Sequence, residues 1–208
     1  MKKILIYGDS NTWGDNFITG KRIPDDKQWP NILQSELGDC YKIIQEGLPG
    51  RIAGNEENEK KFKNGKDSFM SIFRSQAPVD IIIFSLGTND LQLKYNKTEV
   101  KIIDDLLWYK KSIENEFEDI DNKKKFFINN KMPRIIYILP ANFDFLVNAS
   151  CIFDSSSEEK RLEIIKYFEC NKTNVEYISL NNMNLFLDGV HLDYDGHSKL
   201  AEIVKEII

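Results

Sequence analysis

Five short apolar runs, at residues 3–7, 41–45, 80–86, 134–139 and 175–180, recur along this 208-residue chain. Each is rich in β-branched residues and bounded by turn formers. The segments between them carry helical spacing instead. Trp29, Ile32, Leu33 and Leu37 share one face, and Phe69, Ile72 and Phe73 another. Ile102, Ile103, Leu106, Leu107 and Tyr109 form a third face, Leu162, Ile165 and Phe168 a fourth, and Leu200, Ile203, Val204 and Ile207 a last one. Strands that alternate with helices need right-handed crossovers, which build a parallel sheet covered on both sides. The unbroken Ile81-Ile82-Ile83-Phe84 predicts a central strand buried on both faces. The length suits one domain over residues 1–208 with a sizeable core, and no internal repeat interrupts it.

In an open parallel sheet, ligands bind beyond the carboxyl ends of the strands. Gly8-Asp9-Ser10 follows the first run, and Gly47-Leu48-Pro49-Gly50 follows the second. Gly87-Thr88-Asn89-Asp90 follows the third, and the fifth leads toward Asp188-Gly189-Val190-His191. Taken singly these are weak signals: Gly-Asp-Ser is a common turn, Gly-Thr-Asn-Asp suits an ordinary strand-to-helix turn, and Asp-x-x-His recurs by chance. Their order places all four at one sheet edge. There a serine hydroxyl, an imidazole able to take its proton and a carboxylate able to orient that imidazole would meet. The backbone N–H groups of Ser10 and Gly50 and the amide of Asn89 are candidate donors for the oxyanion such a serine would generate.

Other polar residues near these motifs have structural readings. His197, in Asp195-Gly196-His197, competes with His191 as the base, but Asp195 reads as a helix N-cap with His197 in its first turn. Asp9 and Asp90 read as turn residues bonded to local backbone. Tyr7 and Trp29 fit the core, whereas Trp13, close behind Ser10, suits either a pocket wall or packing. Two connections are long, 47–66 and 140–156. The first is highly charged beyond Gly54, consistent with either a solvated loop or a pocket wall.

Composition narrows the function classes. A formal net charge of -5 disfavours a nucleic-acid or anionic-membrane binder, and Lys123-Lys124-Lys125 reads as a solvated run among acids. Cys40, Cys151 and Cys170 lack the spacing of a disulfide framework or a zinc site. Two histidines without His-Glu-x-x-His argue against metal-dependent hydrolysis. Gly65-Lys66-Asp67-Ser68 is only a fragment of a phosphate loop, and Gly-x-Gly-x-x-Gly is absent, which weakens a nucleotide- or flavin-binding reading. No apolar run reaches membrane-spanning length, and the apolar stretch after Met1-Lys2-Lys3 is too short for a signal peptide. A cytoplasmic location is therefore expected, with the sequons at Asn96, Asn148 and Asn171 read as chance matches. An oligomer is compatible with the sequence, although no interface stripe stands apart from the core-facing patterns.

Four blocks together are similar to those of the SGNH hydrolases, also called GDSL esterases. They are Gly8-Asp9-Ser10-Asn11-Thr12-Trp13-Gly14, Glu46-Gly47-Leu48-Pro49-Gly50-Arg51, Leu86-Gly87-Thr88-Asn89-Asp90-Leu91 and Asp188-Gly189-Val190-His191-Leu192. They span essentially the whole chain in the family's order. The resemblance implies a three-layer α/β/α fold with a five-stranded parallel sheet in flavodoxin-like order 2-1-3-4-5. It further implies Ser10 as nucleophile, His191 as base, Asp188 as its partner, and Ser10 N–H, Gly50 and Asn89 as the oxyanion hole, with no metal and no cofactor. The first two blocks look most similar to those of arylesterases and related acyltransferases. Trp13, Asn11 and Arg51 are then expected at the substrate. Relatives usually continue with Thr-Thr after the arginine, where this chain has Ile52-Ala53, so the leaving-group pocket should differ. The expected activity is a serine esterase acting on short acyl esters, including O-acetyl groups on carbohydrate, with thioesterase or acyltransferase activity as alternatives. A non-catalytic small-molecule binder on the same fold is the reading from a different class.

Overall fold

The computed structural model describes residues 1–145, 152–171 and 175–208. Cys151, the Asn148 sequon, most of the Asn171 sequon and part of the 140–156 connection lie outside the described residues. Five parallel strands form the main sheet: β1 (Lys2–Gly8), β2 (Tyr41–Gly47), β3 (Ile81–Ser85), β4 (Arg134–Ile138) and β5 (Glu176–Ile178). Their order is 2-1-3-4-5, with β1 paired to β2 on one side and β3 on the other. The flavodoxin-like expectation is met. The register pairs Gly8 with Gly47 and with Ser85, so the turns after β1, β2 and β3 leave the sheet at one level.

Because the central strands are covered on both faces, their alternation divides the core in two rather than separating core from solvent. Ile4, Ile6, Ile81, Ile83, Ile136 and Ile138 point to one side, against Trp29 and Leu33 of α2 (Trp29–Leu37) and Leu200 and Val204 of α7 (Tyr194–Ile207). Leu5, Tyr7, Ile82, Phe84 and Tyr137 point to the other. They meet Phe69 and Phe73 of α3 (Gly65–Gln76), Ile102 and Leu106 of α4 (Glu99–Glu118), and Ile164 and Phe168 of α6 (Ser155–Cys170). The second layer is strongly aromatic, with Phe69 edge-on to Tyr7, Phe84 and Tyr109. Two short helices, α1 (Ser10–Trp13) and α5 (Ile120–Phe126), complete the α-helices among the described residues.

Two local expectations change. Leu162 faces solvent, and Arg161 takes the inward position on α6. There Arg161 pairs with Glu158 and donates from Nη1 toward the carbonyls of Pro140 and Leu180, binding the ends of β4 and β5 together. The N-cap of α7 is Asp193, whose carboxylate accepts from Gly196 N–H at 2.8 Å, and not Asp195, which lies inside the helix. Both aspartates precede the apolar stripe, but only Asp193 stands three residues before a free first-turn N–H.

Candidate active site

The turn that ends β1 is set by Asp9. Its carboxylate accepts from Asn11 N–H at 3.0 Å and caps α1, leaving Ser10 as the first helical residue. A first-turn N–H has no partner within its own helix, and the Ser10 N–H finds none elsewhere among the described residues. Burial pushes the Asp9 carboxyl up to about 6, against the stabilising Asn11 N–H.

On the far side of the chain, Asp188 Oδ1 accepts from both Val190 and His191 backbone N–H groups at 3.1 Å, an Asx-type turn that holds the carboxylate rigid. Its Oδ2 meets His191 Nδ1 in a short contact, and His191 Nε2 lies 2.9 Å from Ser10 Oγ. Ser10 and Asp188 are nearly buried, and the imidazole is partly exposed. Burial disfavours the charged imidazole, but the bond to and charge of Asp188 outweigh it and raise the His191 pKa above its ordinary value. The same pairing, together with the two backbone donors, lowers Asp188 despite its burial. The relay therefore has the geometry in which Nε2 takes the serine proton while Nδ1–H stays on the carboxylate.

Two further candidate donors stand on the turns that follow the neighbouring strands β2 and β3. Gly50 sits at φ +75°, a left-handed conformation open to glycine, and its N–H has no partner among the described residues. The Asn89 amide is oriented by two bonds: Nδ2 donates to Arg51 O at 3.1 Å, and Oδ1 accepts from Gln92 Nε2 at 2.9 Å. That leaves one amide hydrogen of Asn89 without a partner among the described residues. The turns after β2 and β3 are thus tied directly to each other.

The three residues expected at the substrate separate. Trp13 is partly exposed one turn beyond Ser10, with the Arg22 guanidinium 5.5 Å from its ring centre. Asn11 is instead a bridge, since its Oδ1 accepts from Leu192 N–H at 2.9 Å and so staples the serine turn to the histidine loop 181 positions away. Arg51 lies beneath the site, 4 % exposed, with Nη1 donating to Gly8 O at 2.8 Å and to Glu46 O, and its guanidinium 4.0 Å from the Tyr7 ring centre. Asn11 Oδ1 and Arg51 Nη1 are thus bonded to backbone, while Arg51 Nε is buried without a partner among the described residues.

His197 is fully buried, its Nδ1 accepting from Trp29 N–H at 3.3 Å, whereas the imidazole bonded to Ser10 is that of His191. Asp90 departs from the local reading: its carboxylate accepts from Ala53 N at 2.6 Å and Gly54 N at 3.3 Å, 37 and 36 positions away. The connection 47–66 is correspondingly folded onto the protein at residues 51–54 and again at Asn64 and Gly65, with mostly exposed residues between. Lys63, which no motif signals, lays its ammonium 2.8 Å from where a Cβ on Gly50 would stand. Among the described residues, no group of three or more His, Cys, Asp and Glu side chains is arranged to hold a metal ion, and no helix is long and apolar enough to cross a membrane.

The same fold recurs among known proteins. The structure superposes on a carbohydrate acetylesterase family member from Sinorhizobium meliloti with a TM-score of 0.82 at 22% identity, covering 100% of this chain and 97% of that one. A putative arylesterase from Agrobacterium tumefaciens gives 0.83 at 22%, with coverage of 100% and 98%. The aryl esterase of M. smegmatis gives 0.80 at 21%, with both chains covered in full. No curated protein matches the chain in sequence. The family model for GDSL-like lipases and acylhydrolases matches residues 4–204, and the chain belongs to that family.

Proposed function

We propose that this acylhydrolase is a serine esterase that cleaves short, acetyl-type acyl esters through an acyl-enzyme on Ser10. The observation that carries the reading is the 2.9 Å approach of His191 Nε2 to Ser10 Oγ. As Ser10 Oγ attacks the ester carbonyl, Nε2 takes its proton and the imidazolium forms against Asp188. The carbonyl oxygen becomes an oxyanion facing Ser10 N–H, Gly50 N–H and the free hydrogen of the Asn89 amide. Collapse expels the alcohol, which leaves with the proton from Nε2. Water then repeats the sequence, giving its proton to Nε2 and releasing the carboxylic acid and free Ser10.

The bond from Asn89 to Arg51 O closes the two donor loops on each other, which supports a small acyl group between them. The partly exposed ring of Trp13 beside Ser10 supports an alcohol with a flat face, either aryl or sugar. Carbohydrate O-acetyl esters are therefore the second substrate reading, in keeping with the acetylesterase among the structural relatives. An organophosphonate should label Ser10 stoichiometrically and abolish turnover of p-nitrophenyl acetate. Full turnover in Ser10→Ala would end the reading. A panel of acyl lengths and acetylated sugars, and of thioester and acceptor-alcohol substrates, then ranks the candidates.

A further inference from the structure

Behind the two donor loops lies an ion cluster that the reaction itself does not use. The Lys97 side chain is 3 % exposed, and its ammonium meets Asp90 Oδ1 at 2.8 Å, Asp105 Oδ2 at 3.1 Å and Glu56 Oε1 at 3.2 Å. Asp105, on α4, also takes Lys66 at 2.6 Å and Lys101 at 2.8 Å. Three carboxylates thus face three ammonium groups, and the formal charge cancels. Burial disfavours the charge on Lys97, but Asp90 and then Asp105 outweigh it, and the residue is held protonated.

Desolvating so many ions takes back much of what their attraction returns, so stability alone is a poor account of the cluster. Position is a better one. Asp90 directly follows Asn89, and its carboxylate grips the backbone at Ala53 and Gly54, three and four residues beyond Gly50. Gly54 packs so closely that a Cβ there would stand 2.2 Å from Asp105 Oδ2 and 2.7 Å from Lys97 Nζ. Both loops that carry an oxyanion donor are therefore anchored to one carboxylate, and Lys97 fixes that carboxylate against α4. We propose that Lys97 is a positioning residue, whose ammonium holds Asp90 on the 53–54 backbone and so sets the spacing between the Gly50 N–H and the Asn89 amide. The inference rests on the donor assignment made above.

Donors must lie within about 0.2 Å of their ideal distance from the oxyanion, and a displacement of about 1 Å can lower the rate about 100-fold. Lys97→Met keeps the aliphatic stem and removes the charge. It should lower kcat for p-nitrophenyl acetate about 100-fold with KM changed less than about threefold. The acid limb of the pH–rate profile should not move, since His191 is untouched, and exchange of the Ala53 and Gly54 amide hydrogens should accelerate. Lys97→Arg should recover most of the rate. A folded Lys97→Met with kcat within about threefold of the wild type overturns the proposal, even if its Tm falls. If Lys97→Met does not fold, the charge-balanced pair Lys97→Met with Asp105→Asn takes its place: a persistent loss of kcat supports the proposal, and a wild-type kcat overturns it. Failure of the esterase reading is distinguishable, because turnover would then survive Ser10→Ala.

Discussion

Mild acid should act on this protein through a buried imidazole that plays no part in the proposed chemistry. His197 sits in the first turn of α7, 0 % exposed, with Nδ1 accepting from Trp29 N–H and Nε2 without a partner among the described residues. Burial, and then the nearby His191, push its pKa from 6.5 down to about 4. Protonation would set a second N–H at Nδ1, head to head with the Trp29 N–H. Between these two values the unfolded chain binds the proton and the folded chain does not, so stability rises with pH across that window. The contribution is complete above about 6.5 and lost as pH falls through about 4. At about 1.4 kcal/mol for each tenfold change in proton affinity, the loss is about 3 kcal/mol.

Asp9 works in the opposite sense. Burial, its leading cause, raises its pKa from 3.8 to about 6, so the folded state binds the extra proton and stability falls as pH rises through that window, by about 3 kcal/mol. The two slopes largely cancel in the wild type, so only a difference measurement exposes either. His197→Gln removes the titration while its Oε1 can still accept from Trp29. Urea unfolding of variant and wild type at about pH 7 and about pH 4 should show the stability difference moving by about 3 kcal/mol in the variant's favour at the lower pH. A difference that does not change with pH would refute the reasoning. Esterase turnover at neutral pH should be largely retained in the same variant.

Further tests bear on the site. The raised His191 pKa places the acid limb of kcat/KM above pH 6.5, with activity rising as the imidazole loses its proton; Asp188→Asn should move that limb to lower pH and reduce kcat by about 1000-fold or more. Gly50→Ala should lose kcat through the strain of a side chain at φ +75°, which costs about 1–2 kcal/mol, rather than through the flexible Lys63; adding Lys63→Ala should therefore not restore the rate. Asn11→Ala strands the buried Leu192 N–H, which should cost about 1–3 kcal/mol of stability in denaturant unfolding and lower kcat with little change in KM.

What the sequence discloses follows the reach of each interaction. The apolar runs mark the strands to within two residues at either end. The central β3 is continuously apolar because both its faces are covered, whereas the edge strands β2 and β5 are only partly buried and admit polar residues. Asp188 and His191 are legible because they bond to each other three residues apart, and Ser10 because the strand-end rule locates it without knowledge of its partner. Polar residues whose partners are remote give no such signal. Asn11 and Arg51 stand inside the recognisable blocks, yet each binds backbone that only the closed fold brings near, Leu192 in one case and Gly8 in the other. Lys97 is the extreme example. Read locally it is the centre of a chance sequon. Its four-carbon stem and point charge acquire a role only once α4, the turn after β3 and the loop after β2 deliver three carboxylates to one ammonium. The residues proposed to do the chemistry are thus marked by type and spacing. Those proposed to hold the donors at working distance are marked only by what they touch, so the precision of such an oxyanion hole would lie outside the motifs that announce it.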